Sequence, residues 1–142
     1  SNPHLFRLKK EGKWGILQSN GEWYLEPNYK YLDDFENKFV IAHAADGVVL
    51  LDSTKTMISE YFESSRFSIS EGMVAMKRDG KWGYINLKGE LVVKPQFDEA
   101  YDFIDGYAAV RIGEGWTYAR KDGSLVTAPK YKDVRKDKYF YK

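Results

Sequence analysis

The 142-residue sequence contains no cysteine, two histidines, four prolines and twelve glycines. Without cysteine there is no disulfide, no thiolate metal site and no cysteine nucleophile. This leaves the compartment open, because many exported proteins also lack disulfides. His4 and His43 are the only imidazoles, and no H-x-x-x-H spacing occurs, so a zinc site lacks its usual ligands. Long apolar runs are missing too. The longest is four residues, as in Val48–Leu51, whereas a spanning helix needs about 20. Neither sign of charge dominates: 22 Lys and Arg stand against 21 Asp and Glu, a formal net charge of +1. That is too balanced for the strong field of a dedicated nucleic-acid or membrane-surface binder. The phosphate loop, the G-x-G-x-x-G fingerprint and G-x-S-x-G are absent. No signal-peptide pattern is present. What the chain has in quantity is aromatic residues, 16% of the total, which argues against disorder. A chain of this length buries roughly two-thirds of its unfolded surface and folds without staples.

The aromatics are periodic. Trp14 and Trp82 are 68 residues apart and Trp82 and Trp116 are 34 apart, with Val48 at the missing step. Two residues on stand Ile16, Leu50, Tyr84 and Tyr118; seven on, Gly21, Lys55, Gly89 and Gly123; thirteen on, Pro27, Tyr61, Pro95 and Pro129. Such columns define four units, 5–38, 39–72, 73–106 and 107–140, which cover 136 of the 142 residues without insertion or deletion. The chain is therefore read as a single repeat domain, 1–142.

Unit three gives the local structure. Met73–Arg78 has strand composition, Asp79-Gly80 is a strong hairpin signal, and Lys81–Asn86 is a second strand rich in aromatic and β-branched residues. Lys88-Gly89 makes a second turn, and Leu91–Val93 a third strand that Pro95 stops. The acidic, aromatic stretch 96–106 is a connector with one short element. In units two and four the first-turn glycine shifts to Gly47 and Gly115, so those residues are expected to take the positive φ with loop length unchanged. The predicted fold is all-β: three-stranded antiparallel units in an open twisted array or, alternatively, a closed propeller-like ring.

Gly12-Lys13-Trp14-Gly15-Ile16-Leu17, Gly80-Lys81-Trp82-Gly83-Tyr84-Ile85 and Pro95-Gln96-Phe97-Asp98-Glu99-Ala100 resemble the WG, or KWG, repeat. Unit four is a variant with Thr117 in the second glycine column, and unit two has Val48-Val49 in place of Trp-Gly. The resemblance implies a bacterial β-hairpin repeat with a binding or scaffolding role. It implies no catalytic residue and no cofactor.

On this reading Trp14, Trp82 and Trp116 are core, since a thin unit cannot bury its own apolar face and must stack on a neighbour. Gly15 and Gly83 then allow close approach of another strand or ring. The alternative makes the tryptophans a stacking surface for a glycan or a peptide. Trp23, in the column of Met57, Leu91 and Leu125, reads as core. Lys9, His43, Lys77 and Arg111 share one column, either a solvated strand that protects an edge or a contact for an acidic partner. Asp98, Glu99, Asp102 and Asp105 lack the spacing of a calcium loop. The expected function is non-catalytic: a repeat module that binds another protein, with glycan binding as the alternative and no nucleic-acid or membrane-spanning role. The aromatic tail Tyr139-Phe140-Tyr141 either docks on the body or begins a fifth unit.

Overall fold

The computed structural model describes residues 4–33, 39–52, 57, 59, 61–65 and 68–132. Among them there is no helix, and the strands form small antiparallel sheets, none of which closes on itself. Four hairpins carry the fold: β1 (Leu5–Lys10) with β2 (Lys13–Gln18), then Val40–Ala44 with Gly47–Leu51, Met73–Arg78 with Lys81–Asn86, and Tyr107–Ile112 with Gly115–Arg120. Their registers agree at 34-residue steps. Lys9 stands opposite Trp14, His43 opposite Val48, Lys77 opposite Trp82 and Arg111 opposite Trp116. Each loop has two residues. Glu11-Gly12 (φ 52° and 83°) and Asp79-Gly80 (φ 52° and 79°) have the paired left-handed conformations that match strand twist. Gly47 takes positive φ as expected, but in the fourth hairpin the left-handed residue is Gly113 (φ 63°) rather than Gly115.

Short strands link successive hairpins. β3 (Trp23–Tyr29) completes the first sheet, and β4 (Tyr31–Asp33) crosses to pair with the next hairpin, β5 (Val40–Ala44) and β6 (Gly47–Leu51). In the same way β7 (Ser64–Ser65) pairs with β8 (Met73–Arg78), which continues through β9 (Lys81–Asn86) to β10 (Leu91–Phe97). β11 (Glu99–Ala100) pairs with β12 (Tyr107–Ile112), which pairs with β13 (Gly115–Arg120). The connector element is thus a strand of two or three residues handed to the following sheet. One of these is out of phase. Leu32 pairs with Ala42 and Ala100 with Val110, whereas Ser65, one position earlier in its unit, pairs with Met76. Leu32, Ala100 and Ser65 are all buried. A one-residue slip changes the face of every side chain, and here it puts Ser65 in the buried place.

The third strands explain two signature columns. β10 does not stop at Pro95 but runs through it, with one register shift before the proline, between Leu91 and Val93, and one across it, between Val93 and Phe97; β3 is irregular in the same way around Pro27. Each bulge carries the proline, which has no N–H to offer a ladder, across the glycine of the Trp-Gly pair. A Cβ on Gly15 would lie 2.6 Å from Leu25 O and 2.7 Å from Pro27 N, and one on Gly83 would meet Val93 O and Pro95 N. The close neighbour is therefore the third strand of the same sheet. Hairpins two and four have Val49 and Thr117 at this place, and among the described residues neither carries a full third strand. Only isolated bridges remain: Leu51 with Met57, Ala119 with Leu125 and Trp116 with Tyr131. Thr117 Oγ1 instead bonds Thr127 Oγ1 at 2.9 Å. Pro129 crosses Gly115, which is why that glycine is needed without a positive φ.

The chain divides into two compact bodies, Ser1–Tyr61 and Phe62–Lys142. Their cores use the same columns 68 residues apart. Trp14, Ile16, Leu25, Leu32, Val40, Ala42 and Leu51 gather in the first; Trp82, Tyr84, Val93, Ala100, Ala108, Val110 and Ala119 gather in the second. Strand alternation makes the rule explicit. Within each body the hairpin face that carries Trp14 or Trp82 packs on the opposite face of the following hairpin, the one that carries Val49 or Thr117. Tail residues 139–141, and the choice made for them above, lie outside the described residues.

Gly83→Ala forces a methyl against the β10 backbone and is expected to cost about 1–3 kcal/mol, whereas Gly80→Asn places a residue tolerant of positive φ in open space. Urea unfolding should show a clear loss for the first variant and little change for the second.

Candidate functional site

Rows of cross-strand neighbours run across each sheet through the tryptophan column. They are Tyr29–Trp14–Lys9, then Val48–His43–Tyr31, then Phe97–Trp82–Lys77–Ser64, and finally Tyr131–Trp116–Arg111–Glu99. Directly opposed residues share a face and touch, so every row sets an aromatic or branched side chain beside a basic one. Val48 is buried, whereas Trp14, Trp82 and Trp116 are only partly so. They lie at the rim of the stack: Trp14 and Trp82 pack against the cores with one part of the ring. Trp14 meets Tyr31 edge-on at 5.7 Å between centroids, and Trp116 stacks on Tyr101 at 5.7 Å and 11°.

The basic column is not a row of solvated guards on an open edge. β5, β8 and β12 are each covered by a short incoming strand, and only β1, with the exposed Lys9, lacks one among the described residues. His43 is half-buried, with Nε2 2.5 Å from Asp33 Oδ2 and its ring 6.1 Å from that of Tyr31. Arg111 Nε donates to Glu99 at 3.2 Å. Gly21, Gly89 and Gly123 hold the second turns, with N–H groups that donate to Gln18, Asn86 and Arg120 carbonyls. Trp23 is partly buried.

Each acid of the 98–105 stretch serves a different local purpose. Asp98 pairs with Lys81 and accepts Gly113 N–H at 2.6 Å, which ties the short strand to the next hairpin turn. Glu63 does the same for the preceding hairpin, accepting Asp79 N–H and Gly80 N–H. Glu99 bonds Arg111, Asp102 accepts from Ser68 Oγ, and Asp105 forms a left-handed turn with Gly106. The sequence hid these roles because most of the partners lie far along the chain: Gly113 and Arg111 in the next repeat, Ser68 in the preceding one and Lys81 on the hairpin of the same repeat. Among the described residues no three His, Asp or Glu come close enough to hold a metal. The Lys81 ammonium, then the Gly113 N–H, hold the Asp98 carboxyl below its ordinary value of 3.8. For Glu71 burial pushes upward, but hydrogen bonds from Gly106 and Lys121 outweigh it and the net shift is downward.

Two shallow clefts stand out among the described residues. One of about 310 Å³ is lined by Ile104, Asp105, Tyr107, Tyr118, Arg120 and Val126; another of about 390 Å³ by Arg78, Asp79, Lys81, Leu91, Lys94 and Pro95. Each has a single acid, so neither brings two carboxylates together as a hydrolytic pair requires. No helix among the described residues is long and apolar enough to cross a membrane.

The Trp-Gly pair, the hairpin around it and the proline bulge above the glycine are the features on which a family assignment turns. The model of the WG-containing repeat matches residues 14–42 and 82–116. The chain carries WG-containing repeats at these two places. Both matches start at a tryptophan of the ruler column, Trp14 and Trp82, where the sheet also has a glycine under a bulged third strand. No curated protein and no solved structure gives a significant match to this WG-repeat chain.

Trp82→Ala removes a large, partly buried ring that packs on the core and is expected to cost about 3 kcal/mol, read as a clear fall in the thermal midpoint. Because the folded pKa of Asp98 is depressed, its contribution is present above pH 3.8 and lost as pH falls through the folded value. Asp98→Asn should therefore flatten the acid limb of a stability–pH curve and leave its neutral slope unchanged.

Proposed function

We propose that this WG-repeat chain is a non-catalytic bacterial binding module that presents its aromatic–basic rows to an acidic surface of another protein. The supporting observation is the composition of the rows: Trp beside Lys9, Lys77 or Arg111, at a rim where the ring is partly exposed and the cation accompanies it. Mixed aromatic and cationic patches suit protein partners, because Trp, Tyr and Arg supply contact area and directed hydrogen bonds at interface centres. A glycan platform would need planar rings flanked by Asp or Asn to bond sugar hydroxyls, and cations fill those neighbouring positions instead. The bacterial setting rests on the family resemblance.

Immobilised protein should retain protein partners from a bacterial lysate in a salt-sensitive way. In Lys9→Glu/Lys77→Glu that retention should fall about tenfold, a loss of roughly 1.4 kcal/mol, with the thermal midpoint kept. If a panel of polysaccharides binds instead, and Trp14→Ala abolishes that binding, the glycan reading replaces this one.

A further inference from the structure

One corner of the first body concentrates hydroxyl-bearing aromatics that its counterpart in the second body lacks. Tyr31, at the start of β4, stands edge-on to Trp14, with 5.7 Å between centroids and 82° between planes; the His43 ring lies 6.1 Å from it at 62°. Tyr29 is the cross-strand neighbour of Trp14. Burial, with a smaller contribution from the nearby Tyr61 phenol, holds the Tyr29 hydroxyl above its ordinary value of 10, so it stays protonated and able to donate. Trp14 and Tyr29 are partly buried, whereas Tyr31 is 44% and Tyr61 40% exposed. Among the described residues no hydrogen bond engages the indole N–H of Trp14 or the hydroxyls of Tyr29, Tyr31 and Tyr61, and none of these atoms is enclosed. In the second body the same columns, 68 residues on, hold Trp82, Phe97, Glu99 and Pro129, without a single phenol. Rings that cross at steep angles make ridges and slots rather than one plane, which suits a knobbed chain better than the flat face of a sugar.

We propose that this corner, formed by Trp14, Tyr29, Tyr31 and Tyr61, binds a proline-rich segment of another protein that carries acidic residues at one end. The inference rests on the reading of the rows as a protein-binding surface and names the partner of the first row. A polyproline II chain has no internal hydrogen bonds, so its carbonyls need outside donors, and the indole and phenol groups supply them. Its pyrrolidine rings fill slots between aromatic side chains, and the chain loses little conformational freedom on docking because it is already extended. Lys9, exposed and directly opposite Trp14, gives the acidic end its counter-charge. Aromatic residues with a polar tip are the side chains that dominate such contacts, since they combine area with a directed hydrogen bond. The second body, with Phe97, Glu99 and Pro129 in these columns, offers neither the phenol donors nor the second aromatic wall.

Fluorescence anisotropy of a fluorescein-labelled polyproline peptide ending in a pair of aspartates, titrated with the intact protein, tests this. Saturable binding is expected below about 1 mM. Tyr31→Ala should weaken it about tenfold. Tyr31→Phe/Tyr61→Phe, which keeps both rings and removes two donors, should weaken it several-fold with the thermal midpoint unchanged. On titration with the unlabelled peptide, backbone amide shifts should centre on Lys9, Trp14, Tyr29, Tyr31 and Tyr61 and spare Trp82 and Phe97. Failure to saturate at millimolar protein overturns the proposal. So does a polyglutamate peptide that binds equally well, which would reduce the effect to charge, and so does binding that both tyrosine variants leave intact. A chitin oligosaccharide that shifts these amides where the peptide does not would assign the corner to a glycan instead. If the peptide fails while proteins from a lysate are still retained through Lys9 and Lys77, the row reading stands and this inference alone falls.

Discussion

The close passage of a proline-bearing strand over a glycine is the contact on which each complete sheet depends. With hydrogen as its side chain, Gly15 or Gly83 lets the bulge at Pro27 or Pro95 lie against the hairpin backbone. The third strand then reaches the tryptophan column, where Tyr29 and Phe97 stand opposite Trp14 and Trp82. The apolar side chains of that strand, Leu25 and Val93, complete the core beneath. Where Val49 or Thr117 occupies the glycine position, the backbone cannot come so near, and among the described residues the third segment touches its hairpin only at isolated bridges.

Around this contact the molecule satisfies its polar groups by borrowing from the next unit. Short strands leave one sheet and complete another, and the acid that precedes two of them, Glu63 or Asp98, caps the turn of the hairpin it joins. At the junction turns Glu71 accepts the N–H of Gly106, one repeat later. Such links are local, cheap in loop entropy, and directional along the chain. Together with the apolar seam they tie a hairpin to its successor, which a thin sheet needs because it cannot bury its own face.

The exposed edge of each hairpin carries what the repeat places opposite tryptophan. Here that is a cation in every unit that keeps the ring. Among the described residues the acids Glu63, Asp98 and Glu99 serve turn caps and ion pairs.

Local sequence determined the strands, the two-residue loops and the columns, because turn residues and a fixed spacing act over a few positions. It also identified the family through Trp14-Gly15 and Trp82-Gly83. Three features were not legible. Ser65 pairs with Met76 one position out of phase with Leu32 and Ala100. Gly115 does not supply the positive φ, since Gly113 does, and Pro129 approaches too closely for a side chain there. The tryptophans are rim residues, only partly buried, and their basic neighbours make ion pairs such as Arg111 with Glu99. Each outcome turns on distances between segments far apart in sequence, set only when β3 or β10 folds over its glycine and one hairpin face settles on the next.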